Sequence, residues 1–386
     1  MSGFRYVSYA QEVIFASGAL ARVGEAVERY GWKRLLLCTN RSMKSTGHVA
    51  SLQSALGEKL VALTDCVQPH VQDTQVDEVL ALAVEHEVDA VIGMGGGSPI
   101  GMSKAVASAL EEKRTGHLAR AAFPTDQPLV PVVAIPTTYA GSEMTAVYGI
   151  THTREHPPRK ITVNDPKIAP KLVIYDPELT LALPPEMTAS TGINALAHCI
   201  EALYSITRHP VSTAAAIRGV HHINNGLFAS FQNGKNLEAR TEMLTAAHLA
   251  GLSLASVTMG LHHGLCHVLG GTANVPHGIA NSIILPHAIR FNADVTADQL
   301  LPAVEALGIS TNGMSLFRAA EALAQKIFEL VRRMKLPGRL REAGLPLKES
   351  DLPNLAQIAF QNRTVQNNPK RITEPAQIEA LLRTAW

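Results

Sequence analysis

The sequence predicts a two-domain α/β protein, with a helix-covered parallel sheet in the first half and helices alone in the second. Three observations support this fold class. Short continuous apolar runs alternate with helical patterns up to about residue 180, which is typical of parallel strands buried on both faces. Beyond that point no further strand pattern occurs. The later apolar residues instead recur at helical spacing.

Five short apolar runs are predicted as strands of the parallel sheet. They cover residues 35–39, 60–63, 90–94, 130–135 and 172–175. Helical periodicity lies between them, at 78–86 and again at 102–110. This alternation is the pattern of strand–helix–strand units.

The second half is predicted as an all-helical domain that carries the catalytic and metal-site residues. The segments with helical spacing cover residues 187–205, 212–228, 237–256, 261–271 and 316–334. We place the boundary at 180–186, which gives domains 1–183 and 184–386.

The bulk properties exclude several classes of partner. A net charge of +1 over 386 residues gives no electrostatic reason to expect nucleic acid or an anionic membrane surface. No stretch approaches the ~20 apolar residues that span a bilayer, and the first residues do not resemble a secretory signal. The four cysteines form no CxxC pair, so we expect reduced thiols in a cytoplasmic protein.

A glycine-rich loop follows the predicted strand at 90–94. Gly95, Gly96, Gly97 and Ser98 stand between that strand and a helix. Glycines let a backbone approach a diphosphate closely, and the helix start offers free N–H groups and a positive dipole end. A tight turn without a ligand has the same appearance, and the spacing is not GxGxxG.

A second loop makes the nucleotide interpretation the better one. Residues 134–145 follow another predicted strand and are dense in hydroxyl groups, with Thr137, Thr138, Ser142 and Thr145 among them. Two such loops at the carboxyl edge of one parallel sheet form the usual crevice for a nucleotide.

Histidines at helical spacing form the second candidate site. Asn194 and His198 stand four residues apart in one predicted helix, and His263 and His267 repeat this spacing in another. His277 follows in a predicted loop. Three imidazoles and an amide oxygen are a plausible cage for a divalent cation. We expect His221, His222, His248 and His262 to be structural.

Taken in order along the chain, these motifs resemble the iron-containing alcohol dehydrogenase superfamily. The motifs are the GGGSP loop, the PTT and GSE segments, 176–180, the NALAHCIEA helix and the H-x3-H-x9-H series. The resemblance implies a dehydroquinate synthase-like fold, with cofactor and substrate in a cleft between the domains. It also implies a small carbonyl or alcohol substrate and a homodimer.

Residue roles follow from the same resemblance. It implies that Gly95, Gly96, Gly97 and Ser98 grip the diphosphate of NADH or NADPH, with Thr137, Thr138, Ser142, Lys160 and Leu179 lining the rest of the nucleotide site. Ligands of a possible Fe²⁺ or Zn²⁺ would be Asn194, His198, His263 and His277. His267 would lie beside the nicotinamide, and the catalytic residues would be His198, His263, His267 and His277.

Three departures from the common family pattern resemble the maleylacetate reductases. Asn194 replaces an aspartate ligand, Gly101 replaces an aspartate after the glycine loop, and the second loop reads TTYAGSEMT. The chain ending at 368–386 points the same way. Residues 276–281 look instead like the ordinary alcohol dehydrogenases. A neutral amide brings no charge to offset that of a metal ion, so we expect weakened metal binding.

The resemblance to maleylacetate reductases implies reduction of maleylacetate to 3-oxoadipate in aromatic-compound degradation. The alternative within the superfamily is a metal-dependent alcohol dehydrogenase or aldehyde reductase. A lyase like dehydroquinate synthase and a non-enzymatic binding protein are further alternatives. For the cofactor, Asn40 and Arg41 stand where an acidic residue would repel a 2′-phosphate, so we expect use of both NADH and NADPH.

Overall fold

The computed structural model describes residues 3–68, 71–116, 120–155 and 159–386. The chain divides into two compact units, Met1–Leu183 and Pro184–Trp386. The first unit is a six-stranded parallel sheet with helices, and it also contains a separate two-stranded hairpin. The second unit contains helices and no strand among its residues. The predicted fold class is confirmed.

The strands of the first unit are numbered in chain order. They are β1 Glu12–Phe15, β2 Leu35–Cys38, β3 Leu60–Thr64, β4 Ala90–Gly95, β5 Val132–Pro136, β6 Val147–His152, β7 Arg159–Asn164 and β8 Leu172–Tyr175. The parallel sheet has the order β1-β8-β5-β4-β2-β3, and β6 and β7 pair antiparallel beside it. All five predicted strands are present, whereas β1, β6 and β7 were not predicted.

Strand β2 shows why the sheet lies inside the first unit. Leu35 and Leu37 pack into one apolar cluster, and Leu36 and Cys38 pack into another. Alternate side chains of a strand point to opposite faces, so these two clusters cover the two faces of the sheet. All four residues are fully buried.

Five helices accompany the sheet. They are α1 Val23–Arg29, α2 Arg41–Ser45, α3 His48–Leu56, α4 Asp73–Glu85 and α5 Gly97–Thr115. The helix after the glycine loop therefore begins within that loop and is longer at both ends than the predicted 102–110. The helix ends at Gly116, whose N–H donates to the Glu112 carbonyl and which has a left-handed backbone (φ 74°) that glycine adopts at low cost.

Nine helices make up the described second unit. They are α6 Pro185–Tyr204, α7 Pro210–Gln232, α8 Leu237–Ser256, α9 Leu261–Ala273, α10 His277–Ala306, α11 Leu316–Arg333, α12 Leu352–Gln361, α13 Arg363–Gln366 and α14 Pro375–Ala385. Helix α10 is the main element that the sequence did not reveal. It contains Pro286 and Pro302, and prolines ordinarily interrupt a helical pattern. The prediction that His277 lies in a loop was wrong, because this residue is the first of α10.

Among the described residues, no single helix is long and apolar enough to cross a membrane. The pair α8 and α9 passes the same length and composition test only when taken together, with a bend of 98° between them.

Two of the three glycines of helix α9 lie in opposite environments, and these give a matched test of its packing. A Cβ at Gly264 would lie 2.4 Å from Val365 Cγ2 and 2.9 Å from the Val365 backbone nitrogen, whereas a Cβ at Gly271 would meet nothing within 4 Å. We expect Gly264→Ala to lower the free energy of unfolding by about 1–3 kcal/mol through overpacking. Gly271→Ala should leave it equal or raise it by up to about 1 kcal/mol. Urea unfolding measures both, and equal effects of the two changes would contradict this packing.

His287 on α10 predicts a pH-dependent stability. Its Nδ1 lies 3.0 Å from Thr384 Oγ1 on α14, and burial, helped by the charges of Arg290 and Arg339, lowers its pKa to about 4. The unfolded chain therefore takes up this proton first as the pH falls. The stability that is present above pH ~6.5 is lost between about pH 6.5 and 4, by up to about 3 kcal/mol.

The variant His287→Gln should lack this component of the pH dependence. Urea unfolding at pH 7 and pH 4.5 would show a smaller loss of stability in the variant than in the wild type. The change His86→Gln, at the end of α4, is the control and should follow the wild-type profile. Parallel profiles for wild type and His287→Gln would show that this imidazole is not responsible.

Candidate active site

The carboxyl edge of the parallel sheet has a topological switch point between β2 and β4. The chain passes from β2 outward to β3, and then returns through α4 to β4 on the other side of β2. Loops that leave neighbouring strands in opposite directions open a crevice at this point, where open α/β sheets bind ligands. The glycine loop leaves β4 at this crevice, and Asn40 follows β2 at its other side.

The glycine loop turns directly from β4 into α5. Gly95 ends the strand with a φ of +141°, and a Cβ there would lie 2.9 Å from Pro99 Cγ. Gly96 is the N-cap of α5, and Gly97 and Ser98 form its first turn. A Cβ at Gly97 would meet nothing within 4 Å, so the backbone at the start of α5 is open to a ligand. This combination of close turn and free helix N-terminus suits an anion such as a diphosphate.

The second loop lies against the first. Strand β5 pairs with β4 in register, Gly95 opposite Pro136, and the Thr137 backbone N–H donates to the Gly95 carbonyl (3.0 Å). A Cβ at Gly96 would lie 3.3 Å from Thr138 Cγ2. The structure therefore brings together the two loops that the sequence assigned to a nucleotide.

Lys104 connects the hydroxyl-rich loop to α5, the helix that begins at the glycine loop. It lies on α5, its side chain is fully buried, and its ammonium donates to the carbonyl oxygens of Ser142 (2.7 Å), Thr145 (2.8 Å) and Val147 (3.0 Å). The hydroxyl of Thr145 accepts from the same ammonium (3.1 Å). Burial lowers the pKa of Lys104 to about 7, against the attraction of Glu143. The Thr145 hydroxyl is thus used inside the loop.

Glu143 is the buried carboxyl group of this loop. Its Oε1 accepts from the Tyr175 hydroxyl (2.8 Å) at the end of β8. Burial raises its pKa to about 7, although the Tyr175 hydrogen bond and the charge of Lys104 oppose the rise. Lys104 and Glu143 therefore tie the hydroxyl-rich loop to α5 on one side and to β8 on the other.

The remaining nucleotide-site predictions lie at other parts of the first unit. Asn40 is the N-cap of α2, and its Oδ1 accepts from the Ser42 hydroxyl (2.6 Å). Arg41 contacts the Cys66 sulfur (3.8 Å). Leu179 follows β8 and is buried in the core. Lys160 is a residue of strand β7, and its side chain is not among those that the structure describes.

The four histidines predicted as catalytic form one row of rings in the second unit. The ring centroids of His198 and His263 lie 4.7 Å apart and nearly parallel, those of His263 and His277 lie 6.3 Å apart, and those of His277 and His267 lie 5.7 Å apart. Helices α6, α9 and α10 supply them. His198 and His263 are buried, whereas His267 and His277 are exposed. Asn194 is buried one turn before His198 on α6.

Two ring nitrogens in this row have no hydrogen-bond partner among the described residues. They are Nδ1 of His198 and Nε2 of His263, and both are buried. Burial holds the pKa of both imidazoles below the ordinary value, for His198 well below it. Both rings are therefore neutral at pH 7 and carry a lone pair. A buried nitrogen without a partner is costly in a protein interior, which is typical of a site that binds a ligand.

Glu201 supplies the negative charge beside the histidines. It lies on α6, three residues after His198, and is fully buried. Its Oε1 accepts from the backbone N–H groups of Gly260 (3.1 Å) and His262 (3.2 Å). Its Oε2 accepts from the backbone N–H of His263 (3.2 Å) and from that residue's Nδ1. Burial acts to raise the pKa of Glu201, but the side chains of His262 and His263 hold it below its ordinary value.

The row of histidines fits a divalent metal ion through its nitrogen ligands. Imidazole nitrogen suits Fe²⁺ and Zn²⁺, and the unpartnered Nε2 of His263 is such a ligand. Glu201, His262 and His263 also bring potential ligand atoms within 4.8 Å of one another. The carboxylate of Glu201 already accepts four hydrogen bonds, however, so this second group is a hydrogen-bond network around the site.

Sequence analysis did not identify Lys104 or Glu201 as site residues. Each interrupts the apolar face of a helix that had already been assigned to a site, at 97–115 and 185–204. A charge in a buried helical face requires a partner. That signal was present in the sequence, but most of the partners are backbone groups, which no sequence pattern reveals.

Comparisons with known proteins agree over nearly the whole chain. Residues 10–177 match the family model described as iron-containing alcohol dehydrogenase, and residues 188–386 match that of the Fe-containing alcohol dehydrogenase family, C-terminal. Maleylacetate reductase of Pseudomonas knackmussii is 34% identical, over 97% of this chain and 95% of that protein. Lactaldehyde reductase of Escherichia coli is 32% identical, over 96% and 97%. A solved structure of 1,3-propanediol oxidoreductase has a TM-score of 0.91 at 31% identity and covers 100% of both chains.

The Lys104 network predicts a large loss of stability when its ammonium is removed. The change Lys104→Met keeps the length of the side chain but leaves the carbonyls of Ser142, Thr145 and Val147 without this donor. We expect the free energy of unfolding to fall by about 2–4 kcal/mol. The control Lys44→Met removes an exposed lysine paired with Asp65 and should change it by less than about 1 kcal/mol. Similar values for both variants in urea unfolding would contradict the role of Lys104.

Proposed function

Because this chain belongs to the iron-containing alcohol dehydrogenase family, we propose that it is an NAD(P)H-dependent reductase of the maleylacetate reductase type. Its family members are oxidoreductases. The proposed reaction adds a hydride and a proton across the C=C bond of maleylacetate and gives 3-oxoadipate. Identities of 34% and 32% to relatives with different substrates do not separate these substrates. The proposal therefore depends on particular residues.

Asn194 is the observation that carries the proposal. It lies buried on α6 beside the histidine row, at the position where the resemblance implies a metal-binding carboxylate. An amide there adds no negative charge, which weakens metal binding and suits a reductase that depends on its own side chains. Gly101 supports the same assignment. A Cβ at this position would lie 3.1 Å from Val71 Cγ2, so the packing leaves little room for an aspartate side chain here.

When bound, a reduced nicotinamide supplies the hydride, and a divalent metal ion supplies polarisation of a substrate oxygen. We assign diphosphate binding to the backbone N–H groups of Gly97 and Ser98 at the start of α5. Thr137 and Thr138 orient the nucleotide beside them. Lys104 keeps this hydroxyl loop in place through its contacts with the loop carbonyls.

In the second unit, we assign different roles to the buried and the exposed histidines. His198 and His263 are neutral at pH 7 because burial lowers their pKa, so they bind and orient the substrate or a metal ion by their lone pairs. His267 and His277 are exposed and can exchange protons with solvent. We assign delivery of the substrate proton to one of these two imidazoles.

A metal-dependent alcohol dehydrogenase or aldehyde reductase is the second candidate. The unpartnered buried nitrogens of His198 and His263 favour it, because a metal ion would satisfy them. The similarity to lactaldehyde reductase and the structural similarity to 1,3-propanediol oxidoreductase are consistent with it.

Steady-state kinetics on freshly purified protein distinguish the two candidates. We expect maleylacetate to be reduced with a kcat/KM at least a hundredfold above that for lactaldehyde, with NADH and NADPH both used and less than a hundredfold apart. We expect little loss of activity on dialysis against EDTA. Efficient alcohol oxidation that requires stoichiometric iron or zinc, with negligible turnover of maleylacetate, would establish the second candidate instead.

Two histidine variants, one in the histidine row and one away from it, provide a control for this assay. The change His263→Gln should lower kcat/KM by about 10²–10⁴. The change His222→Gln, which removes a contact with Glu242 on the outer helices α7 and α8, should alter it less than threefold. Equal activity of both variants would exclude the histidine row as the active site.

A further inference from the structure

Glu201 connects two features of the histidine row that have so far been described separately. One is the orientation of the His263 ring. The other is the N-terminus of α9, the helix that contains both His263 and His267. The first N–H groups of a helix have no partner within the helix. At α9 these are the N–H groups of Gly260, Leu261, His262 and His263.

Buried side chains from outside α9 accept all four of these N–H groups. Glu201 accepts three of them, at 3.1–3.2 Å. The fourth, from Leu261, donates to Asn368 Oδ1 (3.4 Å). Asn368 is itself fixed by reciprocal amide hydrogen bonds with Asn292 on α10 (3.0 and 2.7 Å). The position of the helix start is therefore set by one carboxylate and one amide.

The same carboxylate decides which nitrogen of His263 carries the proton. Glu201 Oε2 contacts His263 Nδ1, and an ionised carboxylate can only accept. The neutral ring therefore has its hydrogen on Nδ1. Its Nε2 is left with a lone pair, and this atom has no hydrogen-bond partner among the described residues.

We propose that Glu201 is the positioning residue of the active site. It holds His263 as the Nδ1–H tautomer, so that Nε2 offers a lone pair to a metal ion or to a donor group on the substrate. It also accepts three of the four N–H groups at the start of α9, so one carboxylate acts on both the ring orientation and the helix position. This inference rests on the proposed function, since it assigns a role to a residue beside the proposed catalytic histidines.

The change Glu201→Gln gives a specific test of the tautomer. A glutamine amide has one oxygen and one NH₂ group. If the NH₂ group replaces Oε1, it opposes two backbone donors that cannot reverse, those of Gly260 and His262. If it replaces Oε2, it opposes one backbone donor and His263 Nδ1, and that nitrogen can lose its hydrogen to Nε2. The second arrangement costs less, so the variant should convert His263 to the Nε2–H tautomer.

The tautomer is measured by ¹⁵N NMR on protein labelled at histidine, at pH 8 and without metal. The signals of His263 are assigned by their loss in His263→Gln. We expect a protonated Nδ1 in the wild type and a protonated Nε2 in Glu201→Gln. The control Asn368→Ala removes the other acceptor at the helix start and should leave the wild-type tautomer. A wild-type ring protonated at Nε2 would overturn the proposal even if Glu201→Gln does not fold, and so would an unchanged ring in a folded variant.

Zinc affinity gives a second readout that does not depend on turnover. Competition with a chelating dye should show Zn²⁺ bound 10–100-fold more weakly by Glu201→Gln than by the wild type, as is usual when the partner of a metal-binding histidine is lost. Asn368→Ala should bind Zn²⁺ within threefold of the wild type. Equal affinities of wild type and Glu201→Gln would overturn the proposal. Absence of reductase activity in a wild type with the expected tautomer would instead count against the proposed function alone.

Discussion

An ionisable group in a protein interior must be surrounded by hydrogen-bonding groups, and this requirement shapes both units of the chain. Glu201 meets it with three backbone N–H groups at the start of α9 and with the His263 ring. The positive end of a helix favours a negative charge, so the carboxylate and the helix stabilise each other. The direction of α9, and with it the position of two histidines of the row, follows from this contact.

Lys104 meets the same requirement in the first unit with the opposite sign. Its ammonium is surrounded by oxygens of the hydroxyl-rich loop, three of them backbone carbonyls. The ammonium holds the backbone of this loop, in addition to the packing of its buried Tyr139 and Met144 side chains. Because Lys104 belongs to the helix that starts at the glycine loop, its contacts connect the hydroxyl-rich loop to that helix.

The hydrogen bonds of Glu201 bear on the departure from the family pattern at Asn194, because both residues lie beside the histidine row. Family membership makes this chain an oxidoreductase relative, but the shared family does not specify the substrate. Asn194 removes a negative charge beside the histidines, whereas Glu201 retains one that is held by hydrogen bonds to α9. Burial keeps the rings of His198 and His263 neutral, and Glu201 orients the ring of His263.

The sequence by itself determined the fold class, five of the six strands of the parallel sheet and the residues that meet at the two loops and in the histidine row. It did so because continuous apolar runs, helical spacing and glycine clusters are local patterns. The short edge strand β1 and the half-buried hairpin of β6 and β7 lack such a pattern. Helix α10 was hidden by its two prolines.

Only the tertiary structure decided how the site is held together. His263 and His267 stand four residues apart on one helix, yet the first is buried and the second is exposed. Lys104 and Glu201 matter because of backbone groups that lie 38 to 62 residues away in the sequence. Contacts of that kind depend on how helices and loops pack, and a linear pattern of side chains carries no record of them.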